Sequence, residues 1–121
     1  MKSLKIYGGY SLNGDIKPIP NKNSILPALI ASICSDNNVI YHDIPNTSDV
    51  TKVFEVLETL NVKVIKNDDN TITINASGIN SYKVTHPSVK HFRTGIMFAG
   101  PLLARFGIVE FYVPGGCKLR A

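Results

Sequence analysis

At 121 residues and a formal net charge of +4, the chain has room for one compact domain with a real core, but not for a large enzyme. Hydrophobic residues make up 44% and charged residues 18%, with nine glycines and seven prolines scattered along the chain, which excludes a low-complexity or fibrous protein. The positive excess is dispersed with no basic run interleaved with aromatics, and no stretch approaches the roughly 18 apolar residues of a membrane span, so neither nucleic acid nor a bilayer is an expected partner.

In chain order, residues 3–7 and 10–17 alternate apolar and polar side chains around Gly8-Gly9 and Asn13-Gly14, which predicts short strands joined by turns until Pro18 and Pro20 break the run. From Ser24 the run ILPALIASIC predicts a buried helix starting near Lys22, with Asn23 or Ser24 as its N-cap and Pro27 confined to its first turn. Asp36-Asn37-Asn38 ends it and residues 39–44 follow as a strand. Ser48-Asp49 opens the clearest helix, Asp49 serving as its cap, with Val50, Val53, Phe54, Val56, Leu57 and Leu60 forming one apolar stripe.

Residues 62–66 and 71–76 flank Asn67-Asp68-Asp69-Asn70 and predict a hairpin. A third helix is expected over 88–105, kinked at Gly100-Pro101 and stopped by Gly107, and residues 108–113 form a last strand. The order β, α, β, α, hairpin, α, β predicts an α/β unit with helices packed on a sheet. The chain ends at Ala121 just past a loop, as expected of a fragment. The N-terminus lacks the apolar block and cleavage site of a signal peptide, and the two cysteines lie in unlike surroundings, so a cytoplasmic setting without disulfides is expected.

Three places carry chemistry. Lys22 and Asn23 stand at a predicted helix start, where free backbone N–H groups and an ammonium favour phosphate or carboxylate; the alternative is a solvated lysine beside a capping asparagine. In Pro114-Gly115-Gly116-Cys117 the glycines give a movable loop, and the thiol, beside Lys118 and Arg120 whose charge favours thiolate, is either a general acid or an inert surface group. Arg93 is either a planar clamp for a diphosphate or a surface arginine. Cys34 reads as core, and His42, His86 and His91 lack metal spacing and read as structural or exposed.

The stretches 14–32, 44–64, 92–107 and 113–119 together resemble the enolpyruvyl transferases, and the Lys-Asn pair with the later Gly-Gly-Cys is similar to the branch acting on UDP-N-acetylglucosamine. That resemblance implies an inside-out α/β barrel of repeated βαβαββ units. Residues 1–20 would belong to a second domain, and residues 21–121 would form the first unit plus the start of the next. It also implies transfer of enolpyruvyl from phosphoenolpyruvate to the sugar's 3-hydroxyl with release of phosphate, the first committed step of peptidoglycan synthesis. Lys22 and Cys117 would be catalytic, and Lys22, Asn23 and Arg93 would bind substrate. Cys117 would be the fosfomycin target, and neither metal nor organic cofactor is implied.

Two departures stand out: Pro20-Asn21 replaces the family's usual Gly-Ala before Lys-Asn, and Arg120 takes a position where the family has glycine. The remainder of a longer parent chain is expected to complete the active site, so this segment alone is expected to be inactive. A shikimate-3-phosphate enzyme, or a silent phosphate-binding or interaction module of the same fold, are the competing readings.

Overall fold

A computed structural model describes residues 3–68, 71–113 and 115. Its secondary structure begins at residue 22, with α1 (Lys22–Ala31) followed by a 3-10 turn (Ser32–Cys34), β1 (Val39–His42), α2 (Ser48–Thr59), β2 (Lys63–Lys66) and β3 (Thr71–Asn75). Then come β4 (Lys83–Val84), two 3-10 helices (Pro87–His91 and Arg93–Phe98), α3 (Ala99–Phe106) and β5 (Glu110–Phe111). The run α1-β1-α2-β2-β3 matches the order of a βαβαββ unit after its opening strand.

The central sheet is antiparallel in the order β1-β3-β2, with Val39, Ile74 and Val64 in register across it. Both long helices cover one face. From α1 come Leu26, Leu29 and Ile30, and from α2 and its C-cap the whole predicted stripe of Val50, Val53, Phe54, Val56, Leu57 and Leu60, which meets Ile74 in one core. Ile40 and Ile65 lie on the other face and stay exposed. Removing the apolar area of α2's stripe from water supplies most of its stability, since a twelve-residue helix is marginal on propensity alone. The Tyr41 hydroxyl donates to the Ala28 carbonyl (2.6 Å) and shares a hydrogen bond with Ser32 Oγ (2.8 Å), tying β1 to the end of α1.

Several expectations are corrected. Residues 3–20 form no strand; they are extended and exposed, with Leu12 98% and Ile16 90% accessible. A strand needs a backbone partner, and among the described residues none is offered to this arm. Asn21, not Asn23 or Ser24, caps α1, and Thr47 caps α2 with Oγ1 accepting from the Val50 amide. Pro27 lies in the second turn of α1; its missing N–H leaves the Asn23 carbonyl without an intrahelical donor. The expected helix over 88–105 is three pieces, because the chain extends at Phe92 (φ −147°) to bury its ring; Gly100 and Pro101 fall in the first turn of α3, where proline needs no kink. Cys34 is exposed, not core, since the tighter 3-10 turn after Ala31 carries it off the buried face.

Short β4 and β5 pair in parallel, an addition the alternation did not predict, with Lys83 bridging Glu110 at 3.0 Å. The hydrogen bond and charge of Glu110 raise the pKa of the Lys83 ammonium. Gly107 closes α3 in the left-handed region (φ 71°), its amide donating to Leu103 O at 2.8 Å. A Cβ there would meet nothing within 4 Å, so Gly107→Ala is expected to cost only the conformational strain, about 1–2 kcal/mol in denaturant unfolding. An effect within error would mean that the turn is not held left-handed.

Candidate functional site

The candidate site is a cleft of about 410 Å³ lined by Lys22, Asn23, Leu26, Asp49, His91, Phe92, Arg93 and Thr94. It draws on the first turns of α1 and α2 and on the junction between the two 3-10 helices. Three sequence-predicted residues, Lys22, Asn23 and Arg93, are thus brought together from distant parts of the chain. A second cavity, where residues 17–20 meet Asp43, Ile44 and Pro45, has a volume of about 290 Å³ and offers only Lys17 and Asp43 as charged groups.

Local structure explains how each side chain is aimed. Asn21 starts α1, its Oδ1 accepting from the Asn23 amide (2.9 Å) and its carbonyl from the amides of Ser24 (3.1 Å) and Ile25 (3.2 Å). The cap therefore already engages donors that the sequence reading left free for an anion, and side chains rather than the helix terminus supply the positive field. Lys22 Nζ reaches Asp49 Oδ2 at 2.9 Å, and Lys52 approaches the other carboxylate oxygen at 3.8 Å. Asp49 sits in the first turn of α2, where the helix dipole favours a carboxylate. It does not cap the helix; it fixes where the Lys22 ammonium lies.

On the opposite wall Phe92 is 3% exposed and extended. Its neighbours His91, the last residue of one 3-10 helix, and Arg93, the first of the next, are exposed and line the cleft on either side of it. Arg93 also has an interaction partner within the fold. Asp49, His91 and Thr94 are the polar wall residues whose place here the sequence reading missed. The signal for His91 was its position two residues before Arg93 across a large apolar side chain.

Cys117, Lys118 and Arg120 lie outside the described residues. The root of their loop is described: the Gly115 amide donates to the Val89 carbonyl (3.2 Å), and a Cβ on Gly115 would lie 1.5 Å from the Lys90 carbonyl oxygen. The Lys90 ammonium sits 4.4 Å from the Tyr112 ring centroid, adding a second tie between this strand end and the 3-10 helix. Only glycine fits where the loop leaves the fold, beside the segment that carries His91 and Arg93. Among the described residues no group of three His, Cys, Asp or Glu side chains stands together as a metal site, and no helix is long and apolar enough to cross a membrane.

Residues 6–121 match the family model described as EPSP synthase (3-phosphoshikimate 1-carboxyvinyltransferase). The chain is 38% identical over 121 residues to the UDP-N-acetylglucosamine 1-carboxyvinyltransferase of Campylobacter hominis, and 36% identical over 121 residues to that of Wolinella succinogenes. Each alignment takes in 100% of this chain and 29% of the relative, so the chain spans less than a third of the curated relatives it matches. Among solved structures, the enolpyruvyl transferase NikO from Streptomyces tendae superposes with a TM-score of 0.71 at 18% identity, over 84% of this chain and 24% of that one. The α/β architecture is therefore that of an enolpyruvyl transferase.

Proposed function

The chain belongs to the EPSP synthase family, and on that premise we propose that the protein it forms part of transfers enolpyruvyl from phosphoenolpyruvate to the 3-hydroxyl of UDP-N-acetylglucosamine, releasing phosphate for peptidoglycan synthesis in the cytoplasm. The observation that carries this reading is the meeting of Lys22, Asn23 and Arg93 in one cleft, with the glycine loop rooted beside it at Gly115.

Two polyanionic substrates require fixed cations. The Lys22 ammonium, aimed by Asp49, neutralises the phosphoenolpyruvate anion, with the Asn23 amide beside it. The Arg93 guanidinium offers its planar fork to the nucleotide-sugar. Cys117 follows Gly115 by two residues in the sequence, a span of at most about 7 Å of backbone, and is the acid of this reading. It gives a proton to the terminal vinyl carbon as the sugar oxygen bonds to the adjacent carbon. Loss of a proton from that terminal carbon then expels phosphate and restores the double bond. The base for the sugar hydroxyl comes from the remainder of the parent chain, as does the domain into which residues 1–20 extend; the exposed alternating arm supports that assignment.

Full-length protein supplied with phosphoenolpyruvate should release phosphate with UDP-N-acetylglucosamine as acceptor. The family model is described by the shikimate-3-phosphate reaction, so that acceptor belongs in the same assay. Release with shikimate 3-phosphate alone would transfer the protein to the other branch. Release with neither would favour a silent anion-binding module.

A further inference from the structure

The geometry points to His91 as a third cation of the cleft, one that makes nucleotide-sugar affinity depend on pH; this deepens the reading above and rests on it. Lys22 enters the cleft already paired with Asp49 at 2.9 Å, so part of its field is spent on that carboxylate. Among the charged wall residues, Lys22 and Arg93 against Asp49 leave a net charge of one, which a protonated His91 doubles. Phe92 is buried while His91 and Arg93, on either side of it, both line the cleft, so the two can address one diphosphate together.

The groups facing this wall are Lys22 from α1 and Asp49 from α2, with Arg93 beyond Phe92. At the other end of the same 3-10 helix, His86 lies 3.9 Å from Glu55 and its Nδ1 accepts the Ser88 amide, while Lys90, immediately before His91, rests on Tyr112. These neighbours are engaged elsewhere and leave the wall's adjustable charge to His91. Imidazole is the side chain that exchanges its proton between roughly pH 5 and 8. A diphosphate diester keeps its charge across that interval, so any change in its affinity there reports the protein. An anion bound against His91 favours the imidazolium, and binding is accompanied by proton uptake.

The test measures the Kd of UDP-N-acetylglucosamine for the full-length protein by calorimetry at about pH 5.5 and about pH 8. Wild type, His91→Gln and His91→Lys are compared, with circular dichroism confirming that each variant is folded. Wild type should weaken by about three- to tenfold over this range relative to His91→Gln, the span expected of one charge near a screened surface site. His91→Lys should keep the tighter value at both ends. A wild-type to His91→Gln ratio that does not change with pH overturns the inference while leaving the transferase reading intact. Absence of nucleotide-sugar binding by wild type at every pH overturns that reading and this one together.

Discussion

Gly115→Ala should lower kcat of the full-length enzyme by about a hundredfold or more, while the thermal midpoint moves by only a few degrees. The new Cβ would lie 1.5 Å from the carbonyl oxygen and 2.4 Å from the carbonyl carbon of Lys90. Those are backbone atoms of a 3-10 helix held by fully buried Val89 on one side and Phe92 on the other, so the helix cannot yield cheaply. The loop must move instead, and it gives up the Gly115–Val89 hydrogen bond. A displacement of an ångström at this root is carried outward to the thiol, which is the scale at which positioning dominates rate. Steady-state phosphate release, with fosfomycin labelling of Cys117 as a second readout, measures the effect. A kcat within threefold of wild type would show that the loop's geometry is set elsewhere. Gly107→Ala is the natural control, because that glycine has open space around its missing Cβ and lies away from the loop.

The second large effect is expected at Lys22. Lys22→Ala should reduce kcat/KM for phosphoenolpyruvate by about 10²- to 10³-fold, the loss typical when one partner of a charge-assisted contact to an anion is removed. Lys22→Arg should recover part of it. A merely structural lysine predicts something different: its bond to Asp49 is half exposed, and such pairs contribute about 1 kcal/mol or less. In that case Asp49→Asn and Lys22→Ala would be equally mild. With Lys22 contacting substrate, Asp49→Asn should cost far less, since the ammonium survives the substitution.

Much of the architecture is legible in the letters wherever one physical effect dominates. The stripe from Val50 to Leu60 specifies α2, the polar turn after Lys66 specifies the β2–β3 hairpin, and Gly107 marks the end of α3 through its left-handed conformation. Expectations fail where tertiary context outweighs local preference. Residues 3–17 carry a strand pattern but find no partner among the described residues, and a pattern of side chains does not satisfy a backbone. The run 88–105 has helical composition, yet burying Phe92 against the core is worth more than an unbroken helix. Asn21 precedes the apolar run by too much to look like a cap, and Pro27 looks too disruptive for a second turn. At the site, Lys22, Asn23 and Arg93 are readable as residue types suited to anions. Their meeting in one cleft, and the presence there of Asp49 and His91, depends on how α1, α2 and the 3-10 junction pack.

That packing joins two properties usually varied independently. Phe92 fills the interior while the residues on either side of it, His91 and Arg93, line the cleft. Trimming it would leave a void and release two pointing side chains at once, so thermal resistance and ligand affinity should decline in step across any series of replacements at this position.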